Sequence, residues 1–304
     1  MPFAGLRATV LATCLAFPAL TAQADPVTVA TAAGPLELAA PPASIVALDV
    51  AAIDTLSALG IAPAGIVAPV LVGYLDDVTA DSPHVGTLFE ADFERIAALR
   101  PDLIVVGGRS LAQADALGRI APVADMSIGT DVLADGLARL DAYAAMTGTE
   151  ARAAEIRQGI EARLDAARAL VADRGTALIL MVNGPKLSVF GPDSRFGWLH
   201  TDLGWPTAVD HIDGSQHGEA VSFEYVAEAD PDTLIVIDRA AAIGQAADAA
   251  RATLDNALIG GTKAARTGRI LYLSPAELYI AGGGVQAIGR TLDELIAELG
   301  KTAD

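Results

Sequence analysis

One stretch of this chain occurs twice, and that repetition limits the folds open to it. Asp92–Arg109 reads DFERIAALRPDLIVVGGR, and 130 residues later Ser222–Arg239 reads SFEYVAEADPDTLIVIDR. Phe93 matches Phe223, Glu94 matches Glu224, Pro101-Asp102 matches Pro231-Asp232, and Arg109 matches Arg239. Each copy predicts a short helix, a Pro-Asp turn, a buried strand, and an arginine where the strand ends. Two copies of one unit point to two lobes on one plan. Ligands of open α/β sheets bind beyond the carboxyl ends of the strands, so a strand-end arginine in each copy points to a cleft between the lobes.

The surrounding sequence fits that plan. Short apolar runs such as Ser44–Leu48 and Ala64–Val67 alternate with helical stretches, the pattern of a parallel sheet covered by helices. Val27–Leu38 reads as an edge hairpin, and Val70–Pro83, which carries Tyr74, as a loop over the cleft. Ser194–Leu203 and Ala249–Thr267 read as helices, and Gln286–Leu299 as a closing amphipathic helix. Between the repeats, Thr149–Asp173 is made almost entirely of helix formers, with Ala154, Ile156, Ile160, Leu164, Ala167 and Leu170 at helical spacing. About 25 helical residues extend nearly 40 Å, at roughly 1.5 Å each. The fold class expected is therefore α/β: two lobes, each a mostly parallel sheet flanked by helices, joined by one long rigid helix. The boundaries are 1–24 leader, 25–147 N-terminal lobe, 148–174 linking helix and 175–304 C-terminal lobe.

The leader assignment comes from Arg7, the apolar run that follows it, and Ala22-Gln23-Ala24, an A-x-A cleavage pattern. Removing it takes away Cys14, the chain's only cysteine, and leaves a mature chain without thiol chemistry. A lipid anchor on Cys14 is not expected. With 38 acidic against 20 basic residues, nucleic-acid and membrane-surface binding are disfavoured. No G-x-S-x-G elbow, phosphate-binding loop or dinucleotide motif is present. The histidines, His84, His200, His211 and His217, show no metalloprotease spacing.

What remains is a set of cations and donors. Arg109, Arg195 and Arg239 each sit at a predicted loop edge, and a guanidinium fork suits delocalised anionic oxygen. His217, in a polar loop, and Tyr279, just after a strand, are residue types able to ligate ferric iron.

The runs SIVALDVAAIDTLSALGI, VGTLFEADFERIAALRPDLIVVGGRS, FGPDSRFGWLHTDLGW, SQHGEAVSFEYVAEADPDTLIVIDR and LYLSPAELYIAGGG together resemble a known family. It is the periplasmic substrate-binding proteins of ABC iron–siderophore importers, the helical-backbone class, and within it the binders of ferric catecholates. The resemblance implies a monomeric, non-enzymatic protein with no intrinsic cofactor, carrying Fe(III) as a siderophore complex to an inner-membrane permease dimer. It implies that Arg109, Arg195 and Arg239 surround the anionic complex. It implies also that His217 and Tyr279 complete the iron shell, that Tyr74 and Trp198 contact the ligand, and that Glu94 and Glu224 dock on the permease, with Glu90 competing for the first of these roles. Where some members carry aromatics before the final tyrosine, this chain has Glu277-Leu278. A haem binder of the same class and a secreted α/β hydrolase are the alternatives.

Overall fold

The structure, a computed structural model, describes residues 25–212, 218–245 and 249–301. Two sheets form its lobes. The first has four parallel strands in the order β4-β3-β5-β6, where β3 is Ile45–Ala47, β4 Gly65–Ile66, β5 Leu103–Val106 and β6 Val123–Asp125. It follows a small hairpin of β1 (Val27–Thr31) and β2 (Gly34–Leu38). The second sheet has the order β11-β10-β7-β8-β9, with β7 at Ala177–Asn183, β8 at Lys186–Phe190, β9 at Glu219–Val221, β10 at Thr233–Asp238 and β11 at Ile270–Leu273. Its β7, β10 and β11 run parallel, while β8 and β9 are antiparallel additions.

The repeat is visible in atomic detail. Helices Phe93–Leu99 and Phe223–Ala229 start on side-chain caps, Asp92 accepting from Arg95 N–H and Ser222 from Tyr225 N–H. Both must stop before a proline, which cannot continue a helix. Among the described residues the only non-glycine residues with positive φ are Arg100 (48°) and Asp230 (39°), which end these two helices and are themselves 130 positions apart. The turn aspartates match as well. Asp102 Oδ2 accepts from Ala43 and Ser44 N–H at 3.0 and 2.9 Å, and Asp232 Oδ2 accepts from Thr176 N–H at 2.9 Å. Each therefore pins the start of the neighbouring strand, β3 or β7, to its own.

Between the sheets lies the helix Glu150–Val171, 22 residues and about 33 Å long. Its buried stripe runs through Ala153, Ile160, Leu164, Ala167 and Val171, and Ala154 faces solvent instead. Against it packs the closing helix Val285–Lys301, through Ile288, Leu292, Leu295 and Leu299 at helical spacing.

That closing helix does more than cover its own lobe. Its first N–H groups are capped from the N-terminal lobe. Asp54, on helix Val50–Ala58, accepts from Gln286 N–H at 2.8 Å and from Ala287 N–H at 3.0 Å, while Thr55 Oγ1 accepts from Val285 N–H at 3.4 Å. The core follows the same route. On β7 and β10, Ile179, Met181, Ile235 and Ile237 join a core that continues through the closing helix into the N-terminal lobe. The alternate residues Leu178, Leu180, Leu234 and Val236 face a separate core behind the sheet.

Several expected elements differ. Val70–Pro83 contains short helical turns at Gly73–Leu75 and Asp76–Ala80 rather than a plain loop. The run 249–267 breaks into Ala249–Leu254, Ala257–Gly260 and Lys263–Arg266, because Asn256 and Thr262 each turn a side chain onto following N–H groups and cap a new start. Only Trp198–Thr201 of 194–203 is α-helical.

Candidate functional site

A cleft of about 800 Å³ opens between the lobes. The N-terminal lobe contributes Asp49, Phe89, Arg109, Ser127, Gly129 and Arg139, and the C-terminal lobe contributes Arg195, Leu278, Tyr279 and Ile280.

Tyr279 is the point on which the arginines converge. It lies in Ala276–Ile280, a single wide helical turn in which Ala281 N–H reaches back to the Ala276 carbonyl at 3.0 Å. Such turns spread the backbone and recur at functional sites. Arg109 Nη2 donates to the Tyr279 carbonyl at 2.8 Å, and Arg195 Nη2 donates to the same oxygen at 2.9 Å. Arg239 Nε donates to the Tyr279 hydroxyl at 3.3 Å. The three guanidinium carbons stand 5.6, 4.7 and 5.7 Å from the Tyr279 ring centre. Residues far apart in sequence thus meet around one phenol, with none of the three arginines ion-paired to a carboxylate among the described residues.

Arg195 is held by packing as well. Its guanidinium lies 5.1 Å from the Phe196 ring, and Phe196 itself is fully buried against Phe190. Burial, together with the neighbouring charge of Arg109, lowers its pKa to about 10, so it remains a cation at neutral pH. Burial pushes the Tyr279 phenol up, but the hydrogen bond from Arg239 and the charges of Arg239, Arg195 and Arg109 outweigh it and hold the group below its ordinary value. The cleft is therefore prepared for oxygen anions, and it carries a phenol held below the ordinary tyrosine value.

The chain has five tyrosines, and burial pushes the other four, Tyr74, Tyr143, Tyr225 and Tyr272, upward. A spectrophotometric alkaline titration should thus show one phenol ionising before the rest. That early step should vanish in Tyr279→Phe. Its persistence there would place the low phenol elsewhere.

The other expected residues fall differently. Tyr74 and Trp198 do not line the cleft, and Arg239 is joined to it only through the Tyr279 hydroxyl. The Tyr74 hydroxyl donates to Asp54 and its ring lies 4.5 Å under Arg290, while Trp198 is 3% exposed within the core. An aromatic at helical or loop spacing serves packing as readily as recognition, and in both cases packing has claimed it. Phe89, 69% exposed at the cleft, offers the aromatic surface instead, and Arg139 adds a further cation. Neither carried a sequence signal beyond residue type. Glu94 and Glu224 are both exposed in the first turns of the repeated helices. His217 lies outside the described residues. Among the described residues, no helix is long and apolar enough to cross a membrane.

Two lobes that share an arginine-lined cleft, bridged by one long helix, define a class of ligand-capturing proteins. Residues 45–277 match the family model described as periplasmic binding protein, and the chain belongs to that family of non-enzymatic, substrate-binding transport components. Its similarity to the petrobactin-binding protein YclQ of Bacillus subtilis is 31% identity over 262 residues, covering 84% of this chain and 81% of that protein. The crystal structure of YclQ superposes with a TM-score of 0.86, covering 90% of this chain and 99% of that one. The ferric-anguibactin-binding protein FatB of Vibrio anguillarum is 28% identical, covering 84% and 82% of the two chains. The periplasmic catecholate-siderophore binding protein VctP of Vibrio cholerae has a TM-score of 0.83 at 29% identity, covering 91% of this chain and 100% of that one.

Proposed function

We propose that this protein captures a ferric siderophore, a tetradentate catecholate, in the periplasm and delivers it to an ABC permease. The observation that carries the reading is the convergence of Arg109, Arg195 and Arg239 on Tyr279 at the cleft. A ferric catecholate is a compact anion with its charge spread over oxygen atoms, and guanidinium groups match that distribution. The relatives' names, which speak of petrobactin, ferric anguibactin and a catecholate siderophore, support the same class.

In this reading the arginines neutralise the complex. Tyr279, as phenolate, and His217 take the iron positions that a four-oxygen ligand leaves open. Iron is cargo and arrives inside its chelator. Glu94 and Glu224 provide one acidic contact per lobe for the permease, which is the use the repeat makes of its matched glutamates. The leader 1–24 directs export, and the mature protein works as a monomer, with lobes 25–147 and 175–304 held by the linking helix 148–174. A continuous core and a capped closing helix favour small lobe movements over hinge closure.

The test is titration of the protein with a ferric bis-catecholate, following protein fluorescence and the visible charge-transfer band together. Tight quenching with a band shift that is lost in His217→Ala/Tyr279→Phe is the expected result. Binding that leaves the band unchanged by those substitutions would remove the two donors, and no binding at all would overturn the ligand class.

A further inference from the structure

The stretch that carries Tyr279 belongs to the C-terminal lobe by sequence, yet the N-terminal lobe holds it. Arg109 donates to the Tyr279 and Ile280 carbonyls at 2.8 and 3.4 Å. Directly after them, Gly282-Gly283-Gly284 makes a tight turn, closed by Gly284 N–H donating to the Ala281 carbonyl at 2.8 Å. Two glycines of this turn are pressed against the N-terminal lobe. A Cβ on Gly284 would stand 2.5 Å from the Asp54 carboxyl carbon, and one on Gly283 would stand 2.6 Å from Ile128 Cγ1.

The N-terminal lobe has a glycine of its own at this contact. Gly136, inside the helix Val132–Thr147, is buried where that helix meets the turn. A Cβ on it would stand 2.5 Å from the Gly283 carbonyl oxygen and 3.0 Å from Ile288 Cδ1. Ordinary carbon–oxygen contacts are about 3.3–3.6 Å, so an added methyl group would drive the carbonyl back by about 1 Å. The obstacle is main chain, which cannot swing aside as the end of a side chain can. A glycine inside a helix weakens it, through the freedom it gives the unfolded chain. Here the missing side chain is what lets two backbones meet.

The turn has little room to absorb a push. Asp54 fixes its far end by accepting from Gln286 and Ala287 N–H, and its near end runs into the wide helical turn Ala276–Ile280. Arg195 donates to the Tyr279 carbonyl at 2.9 Å and Arg239 to the Tyr279 hydroxyl at 3.3 Å. A displacement of Gly283 is therefore passed back to Tyr279, and it misaligns the phenol with those donors.

We propose that Gly136 is a positioning residue for Tyr279: by admitting the Gly283 carbonyl to its helix surface, the N-terminal lobe sets where the phenol of the C-terminal lobe stands. This rests on the reading above, in which that phenol ligates the iron of a bound siderophore. It adds that the donor's placement is decided at the lobe interface rather than within its own lobe.

The experiment is a double-mutant cycle. A ferric bis-catecholate is titrated into the wild type, Gly136→Ala, Tyr279→Phe and the double variant, following protein fluorescence for affinity and the visible charge-transfer band for the iron shell. Gly136→Ala should weaken binding by roughly 10- to 100-fold, the usual cost of disturbing a group that orients a metal ligand. Its band should move toward that of Tyr279→Phe. In the Tyr279→Phe background the same substitution should cost no more than about twofold, because residues that act through one another are not additive. Gly289→Ala is the control, a buried helical glycine whose Cβ would meet only Arg163 Nε, at 4.0 Å. It should leave affinity and band unchanged. Urea unfolding shows whether Gly136→Ala is folded. If it is not, Ile128→Ala takes its place in the cycle, since it loosens the same turn without a clash. An equal cost in both backgrounds overturns the proposal, as does full affinity with an unchanged band in Gly136→Ala. If Tyr279→Phe itself changes neither affinity nor band, the donor reading fails and the positioning role falls with it. If the wild type does not bind, the siderophore reading has failed first.

Discussion

Replacing Arg195 with alanine is expected to weaken binding of a ferric bis-catecholate by roughly 30- to 3000-fold, the cost of about 2–5 kcal/mol for truncating one partner of a buried, hydrogen-bonded charge pair. The magnitude follows from where Arg195 sits. Its guanidinium lies between the Phe196 and Tyr279 rings at 5.1 and 4.7 Å and is bonded to the Tyr279 carbonyl at 2.9 Å. It is thus a cation already desolvated and aimed before any ligand arrives, and pre-organisation of this kind preserves binding energy that a mobile side chain would lose. Its removal also takes away one of the charges that lower the Tyr279 phenol. The early tyrosine ionisation should accordingly move to higher pH in the same variant. Arg195→Lys should fall between, because an ammonium keeps the charge but not the stacked plane. Calorimetry at two salt concentrations would check the origin of the effect, since a buried pair is screened far less than a surface one. A loss below about threefold would mean that Arg195 only braces Tyr279.

The second large effect concerns stability rather than affinity. Asp54→Ala should destabilise the protein by about 3–5 kcal/mol, since it removes a helix cap and strands buried donors together. Asp54 is 0% exposed and accepts from Gln286 N–H, Ala287 N–H and the Tyr74 hydroxyl. Urea unfolding measures the loss through the shift in midpoint. The same residue makes stability depend on pH. Burial raises its carboxyl from 3.8 to about 7, against the bonds from Tyr74, Gln286 and Ala287 that lower it. The folded state then holds this proton more tightly than the unfolded state does. Its contribution to stability is therefore largest at low pH, declines as pH rises from about 4 to about 7, and is flat above. In Asp54→Asn that slope should be missing, whatever the variant's absolute stability. A wild-type minus variant difference that stays constant across the window would show the carboxyl titrating at its ordinary value.

Much of this architecture could be read from the sequence because the repeat is dense in residues whose conformational demands are specific. Pro101 and Pro231 stop helices, Asp92 and Ser222 start them, and the apolar runs between turns have few ways to be buried. Arg109 and Arg239 stand out for a related reason, since they follow the strands of that repeat, whereas Arg195 and Tyr279 lie outside it, each in a turn after another strand. What the sequence hid was long-range. Nothing near Asp54 shows that it caps a helix more than two hundred residues away, and nothing near Tyr74 shows that its hydroxyl is claimed by that aspartate. Arg139 looks like any arginine on a helix, and only tertiary packing brings it to the cleft. The run 249–267 was misread because helix formers outvoted Asn256 and Thr262, whose side chains compete for the backbone.

The capping of the closing helix by Asp54 also bears on how the molecule comes to exist. The bond joins residues 232 positions apart. The parallel strands β3 to β6 involve only N-terminal residues, but Asp54 inside that lobe has the Tyr74 hydroxyl as its side-chain partner there and gains the Gln286 and Ala287 N–H groups only when the closing helix docks. The two halves therefore share structure as well as a cleft, and contacts of such separation are slow to form because the intervening loop must be closed first. A chain truncated before Val285 would keep both sheets and the bridging helix in its sequence, yet would leave an acidic group and an apolar groove without the segment that completes them.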